Sequence, residues 1–112
     1  MKRVEAILRP SQLELVRQAL DVAGAHAITV TEVRGSGGPG GATEIYRGAG
    51  YPGGLVPKVK LEAVVPDERV AEVVEMLEQI ARTGRSGDGK VFVSVLVEAV
   101  RVRTGERGDV AL

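Results

Sequence analysis

Pro57-Lys58-Val59-Lys60-Leu61-Glu62-Ala63-Val64-Val65-Pro66 decides the fold. Val59, Leu61, Ala63 and Val65 alternate with Lys58, Lys60 and Glu62, the period of a strand with one apolar face, and Pro66 ends it. Upstream, Ala27 to Arg34 (AITVTEVR) is rich in β-branched residues and reads as another strand. Between the two lies a glycine-rich loop, residues 35–57, with no periodicity of its own. Further out, residues 2–8 alternate charged and apolar side chains and then run apolar through Ile7 and Leu8, which suits a strand that Pro10 stops. Ser11 and Glu14 form an S-x-x-E capping box. Leu13, Val16, Leu20 and Ala23 follow at helical spacing, and Gly24 is a natural helix stop. Downstream of Pro66, Asp67 can cap a helix whose Val70, Val73, Val74, Leu77 and Ile80 make one stripe, with Glu78 and Arg82 a favourable i,i+4 pair. Val91 to Val97 (VFVSVLV) is the last strand. The order β-α-β-β-α-β is the ferredoxin-like α+β arrangement with one antiparallel sheet, in a single domain spanning 1–112.

The chain has 112 residues, with 15 Lys+Arg against 15 Asp+Glu. A zero net charge speaks against a general nucleic-acid or membrane-surface binder, whose affinity comes from a basic surplus. Without cysteine there is no disulfide framework, thiolate metal site or thiol nucleophile. No apolar run reaches the ~18 residues of a membrane span, and Glu5 interrupts any signal-peptide apolar region. A soluble, cytoplasmic protein is expected. Glycine is the anomaly: of 15, nine fall within positions 35–54.

The last strand does not alternate as a strand with one wet face should. Val91, Val93, Val95 and Val97 lie on one side, Phe92 and Leu96 on the other, so both faces call for cover. A second copy of the chain would supply it, making a homo-oligomer; the alternative is that the tail after residue 98 folds back.

Catalytic constellations are scarce. The lone His26 follows a helix-to-strand turn, has no neighbour at metal spacing, and reads as a surface or capping histidine. With one His and no Cys the usual nucleophile–base pairs are missing, and no enzyme activity is expected. Gly84 through Lys90 spells G-x-x-x-x-G-K, but Val91 stands where Ser or Thr would hold Mg²⁺, and a helix enters the loop while a strand leaves it, the reverse of a P-loop NTPase. The loop still suits an anion: Gly87 and Gly89 let backbone N–H groups approach an oxyanion, and Lys90 adds a point charge. On composition alone a helix stop and tight turn fits equally. Arg101 and Arg103, two apart on an extended chain, point the same way and can converge on phosphates, although standing alone they read as a solvated tail. Tyr46-Arg47-Gly48-Ala49-Gly50-Tyr51 places two of the three aromatic residues in the glycine-rich loop. That placement suits a recognition or modification arm, against the plainer alternative of a connector.

At these residues the sequence resembles the nitrogen regulatory P-II (PII) signal-transduction family, essentially end to end. Thr83 to Val93 looks like that family's C-terminal signature. Thr29 to Gly35, Pro57 to Glu62 and Arg101 to Glu106 also match its pattern. The resemblance implies a homotrimer with ATP or ADP as effector ligands in the clefts between subunits, Mg accompanying ATP, and no catalytic cofactor. It implies that Gly87, Asp88, Gly89 and Lys90 (phosphate loop 83–90) hold phosphates, with Arg101 and Arg103 of the C-terminal segment 101–112 reaching them from a neighbouring subunit. Thr29, Glu62 and Val64 would lie around the nucleotide, with Gly35, Gly37 and Gly38 at the base of the long loop. That loop, about 36–56, is the family's T-loop, which docks on ammonium transporters and nitrogen-metabolism enzymes; Tyr46, Arg47 and Tyr51 would engage the partner. Tyr51 matches a tyrosine uridylylated in some members, and Lys58 one that pairs with an effector carboxylate.

The departures sit in the same loop. The family's glutamine, which helps hold Mg²⁺ and 2-oxoglutarate, falls in the stretch that is Gly38-Pro39-Gly40 here, and Pro39 offers neither a side-chain carbonyl nor an N–H. Gly50 stands where Glu is expected beside Tyr51. The expectation is therefore adenine-nucleotide binding, with 2-oxoglutarate sensing and Tyr51 modification weakened. Two rivals are a trimer of the same fold sensing another small anion or serving another target, and an RNA-recognition module. The second is disfavoured, because Phe92 is the only strand aromatic available for stacking.

Overall fold

β5 (Val56–Val65) is the spine of the molecule, and its Val59, Leu61, Ala63 and Val65 are each at most 4% exposed. The computed structural model describes residues 1–36, 44–46, 49–51 and 55–112. Around β5 run β1 (Lys2–Leu8), α1 (Leu13–Val22), β2 (Ile28–Gly35), α2 (Val70–Ala81) and β6 (Gly89–Val95), with two short strands, β3 (Glu44–Tyr46) and β4 (Ala49–Tyr51), inside the glycine-rich loop. The main sheet has the order β2-β5-β1-β6 and is antiparallel throughout. Alternation sends Val4, Ala6 and Leu8 of β1 to the same side as Val59, Leu61 and Val65. There they meet Val16 and Leu20 of α1 and Val73, Leu77 and Ala81 of α2 in one core. Each fully buried leucine or valine contributes roughly 1.5–3 kcal/mol. Both helices therefore cover one face of the sheet, the ferredoxin-like arrangement expected from the sequence.

Element boundaries moved where a polar side chain found a better partner than the expected one. Ser11 lies in a 3₁₀ turn (Pro10–Gln12), α1 has no side-chain N-cap, and Glu14 instead accepts Arg17 and Gln18, so no capping box forms. Asp67 does not cap α2 either. It sits in the 3₁₀ turn Asp67–Arg69 and its carboxylate binds Lys2 Nζ and the N-terminal amine, both at 2.8 Å. Gly24 ends α1 with φ +85° as expected, and the Glu78–Arg82 pair is present. His26 is an exposed residue whose Nδ1 meets Asp21 at 2.7 Å.

β6 starts two residues earlier and stops two residues earlier than the apolar run suggested. Its register with β1 runs from Leu8↔Gly89 to Lys2↔Val95, and β1 has no further residue to pair beyond one bond from Leu96 N–H to the Met1 carbonyl. The long loop also carries order of its own. β3 and β4 pair antiparallel, Glu44 with Tyr51 and Tyr46 with Ala49, while Gly35↔Val56 closes the ladder at the root of the loop. The tail does not fold back over β6. Val100 bridges Arg107, and Arg101 N–H donates to the Glu106 carbonyl at 2.9 Å, so residues 99–112 fold on themselves. In the single chain Phe92 stays 51% exposed, Val95 72% and Val97 99%.

Candidate functional site

The same alternation that builds the core sets a second row of side chains on the uncovered face. Lys58, Lys60, Glu62 and Val64 of β5 lie there, with Thr29 opposite Glu62 on β2 and Ile7 opposite Lys60 on β1. On β6, Lys90 and Phe92 share that face, opposite Ile7 and Glu5. Most of these residues are half-exposed. Lys58 is the exception: at 6% exposure it is the one buried polar or charged residue among the described residues. A buried ammonium needs partners, and Lys58 Nζ donates to the Gly87 carbonyl at 2.7 Å.

Gly87 belongs to the loop that joins α2 to β6. The loop is organised around one carboxylate. Asp88 accepts the backbone N–H of Thr83 at 2.7 Å and of Gly84 at 2.8 Å, the Thr83 hydroxyl, and Arg9 Nε at 3.1 Å. Arg9 also donates through Nη2 to the Ser86 carbonyl at 2.5 Å. Gly87 (φ +92°) and Gly89 (φ +113°) make the turn possible. At Gly89 a Cβ would lie 1.7 Å from the Ile7 carbonyl oxygen, so only glycine lets the loop close against β1.

The donors around Asp88 hold its carboxyl well below the usual carboxylate range, the Thr83 hydrogen bond first, with backbone N–H groups and Arg9 adding to it. Asp67 is lowered to about 2, by hydrogen bonds from Lys2 and then the N-terminal amine. A depressed folded-state pKa means that the unfolded chain takes up the proton first as pH falls. The stability these two groups contribute is complete above the unfolded value of about 3.9 and is lost as pH falls through the folded ones. The thermal midpoint should therefore hold steady from pH 7 to about 5 and fall steeply below about pH 4. Asp88→Asn should lower the plateau and flatten that acid limb, as read by calorimetry at several pH values.

Between this loop and the root of the glycine-rich loop lies a cleft of about 480 Å³. It brings together Gly35, Lys58, Gly87, Asp88, Gly89 and Lys90, all singled out in the sequence, and adds Ile7, Ser36, Arg85 and Phe92, which were not. Lys58 and Lys90 make the cleft cationic, and the two positive-φ glycines leave its wall open to backbone contact, which fits an anion. The other residues expected at the site divide into three groups. Thr29, Glu62 and Val64 lie further along the open sheet face and do not line the cleft. Arg101 is engaged within its own segment, with Glu106 at 3.3 Å and the Leu112 carbonyl at 3.0 Å, and Arg103 is exposed there. Gly37, Gly38, Pro39 and Arg47 lie outside the described residues, while Tyr46 and Tyr51 belong to β3 and β4.

Two findings were not read from the sequence. The resemblance places Asp88 among the phosphate holders, and in the structure its carboxylate is turned into the loop that carries it. Arg9, a single cation before Pro10, carries no pattern in the sequence. Only the register Leu8↔Gly89 reveals that it lies beside the loop.

The comparisons agree with this architecture. The family model for "Nitrogen regulatory protein P-II" matches residues 1–106. The chain is 50% identical over 112 residues to a nitrogen regulatory protein P-II of Rhodospirillum rubrum, covering all of both chains. It is 54% identical over 112 residues to nitrogen regulatory protein P-II 2 of Methanothermobacter thermautotrophicus, covering all of this chain and 97% of that one. To a Haemophilus influenzae nitrogen regulatory protein P-II it is 48% identical, again over the full length of both. With a ferredoxin-like sheet, a long loop at the β2–β5 end and a glycine-lined cleft at its root, the chain belongs to the nitrogen regulatory protein P-II family.

Proposed function

We propose that this protein is a cytoplasmic, non-enzymatic signal-transduction regulator of nitrogen metabolism that binds ATP or ADP and reports it through its glycine-rich loop. The observation that carries the reading is the cleft itself: Gly87, Gly89 and Lys90 on one wall, Lys58 behind them, and the root of the long loop at Gly35 and Ser36 on the other. A phosphate chain bound there touches both the loop that holds it and the segment that would signal. Thr29, Glu62 and Val64 extend the site along the open face for the rest of the nucleotide, with Gly35 beside it at the root of the long loop. The family's homotrimer brings Arg101 and Arg103 of a neighbouring chain to the phosphates. It also covers apolar side chains on both faces of β6, Phe92 on one and Val95 on the other, that the single chain leaves exposed. A magnesium ion accompanying ATP would be held largely by phosphate oxygens and water; among the described residues no group of three His, Asp or Glu side chains is placed to ligate a metal.

The output is a protein target, an ammonium transporter or an enzyme of nitrogen metabolism, engaged through Tyr46, Arg47 and Tyr51. Among the described residues no helix is long and apolar enough to cross a membrane. Because Pro39 replaces the family's glutamine, 2-oxoglutarate is expected to bind weakly even with Lys58 present. That replacement also supports the second reading, a trimer of the same fold that answers to another small anion. Isothermal titration decides between them. ATP and ADP should each give heat at micromolar protein and 2-oxoglutarate with MgATP little or none; no heat from either nucleotide overturns the nucleotide reading.

A further inference from the structure

We propose that Arg9 is a positioning residue for the phosphate loop: by tying the Ser86 carbonyl and the Asp88 carboxylate to the end of β1, it sets Gly87 to Lys90 in a binding-ready shape before any ligand arrives. The proposal rests on the nucleotide reading above for its ligand, and on the loop's own geometry for its mechanism.

The loop between α2 and β6 has little backbone bonding of its own. From Thr83 to Asp88 its one turn bond outside the helices and strands is Asp88 N–H to the Arg85 carbonyl, at 3.3 Å. Its shape is set by side chains instead. Asp88 gathers the N–H groups of Thr83 and Gly84 on one side and Arg9 Nε on the other, so it links the helix exit to the sheet. The Arg9 fork holds two points at once, Asp88 at 3.1 Å and the Ser86 carbonyl at 2.5 Å, one on each side of Gly87. Arg9 Nη2 and Lys58 Nζ each lie 3.3 Å from where a Gly87 Cβ would be, so the glycine rests between two cations. The Arg9 and Asp88 side chains are only 21% and 20% exposed, shielded enough for the pair to hold its geometry. A loop with positive-φ glycines and few backbone bonds is mobile unless tied, and fixing it in advance removes an ordering cost from binding.

The test pairs binding with amide exchange. Arg9→Met should weaken ATP about tenfold by titration, the order of one charge-assisted contact, while Arg9→Lys, which keeps the charge but loses the fork that reaches Ser86 and Asp88 together, should recover only part of that loss, to about threefold to fivefold below wild type. If Arg9 acts through Asp88, adding Arg9→Met to Asp88→Asn should weaken ATP by less than about twofold more. A full additional tenfold loss would mean that Arg9 touches the ligand itself, and would overturn the proposal. Hydrogen exchange is read without nucleotide: Thr83 and Gly84 amides should exchange about tenfold faster in Arg9→Met, with the β1 amides at Ala6 and Leu8 unchanged as the folding control. Unchanged exchange at Thr83 and Gly84 overturns the proposal. Faster exchange throughout β1 overturns it as well, because Arg9 would then be a general stabiliser. If the wild-type protein gives no heat with ATP, the nucleotide reading falls, and the exchange result still decides whether Arg9 positions the loop.

Discussion

Gly89→Ala is expected to destabilise the chain by about 4 kcal/mol, combining a strained backbone with an overlap that neither strand can relieve. The backbone there has φ +113°, and the new Cβ would fall 1.7 Å from the Ile7 carbonyl oxygen, a main-chain atom of the central strand β1. Relief would require parting β6 from β1 at Leu8↔Gly89, which is also where the phosphate loop joins the sheet. The matched control is Gly84→Ala. Gly84 has φ +85° but nothing within 4 Å of a Cβ, so it should cost only about 1–2 kcal/mol, the ordinary penalty for a left-handed alanine. Urea unfolding with linear extrapolation measures both. Equal costs would show that the loop does not close on β1 as described.

The second large effect concerns the phosphates. Lys90→Met and Arg103→Met should each weaken ATP roughly 10- to 100-fold, since each removes a charge-assisted contact to phosphate. Lys90 lines the cleft, whereas Arg103 is exposed on the self-contained tail of the same chain. If a neighbouring chain supplies Arg103, the two defects lie in different parts of each shared cleft. Unfolding and refolding the two variants together in equal amounts should then regenerate intact clefts, about one quarter of the total by random assortment in a closed ring. Titration of the mixture would show that fraction binding at wild-type affinity. A mixture no better than the separate variants would place both residues in one chain's site, contrary to the shared-cleft reading.

The fold was legible wherever burial follows a short period. Val59, Leu61 and Val65 announce β5, and Val73 with Leu77 announces α2, because an apolar side chain in those positions has one place to go. What could not be read locally depended on partners distant in sequence. Ser11 and Asp67 look like caps, but Asp67 is drawn to Lys2 and the N-terminus, more than sixty residues away. The ends of β6 are set by the length of β1 and not by its own run of valines. The β3–β4 pairing lies in a stretch where glycine hides the period. At the site, the glycines and Lys90 were visible as a motif. Lys58 stands out in the sequence only through the family resemblance, because its own spacing is that of any solvent-facing strand lysine, and its burial becomes evident only where the Gly87 carbonyl lies over it. Arg9 was invisible for the same reason: its role exists only once the loop reaches the end of β1.

A nucleotide held in a cleft shared between chains ties the proposed ligand to the proposed assembly. Native mass spectrometry of the purified protein in the presence of ATP tests it most directly, because it counts chains and nucleotides together. A particle of three 11.8 kDa chains carrying up to three ATP molecules is expected; a single chain that binds ATP by itself, or a trimer that takes up none, is incompatible with a shared nucleotide cleft.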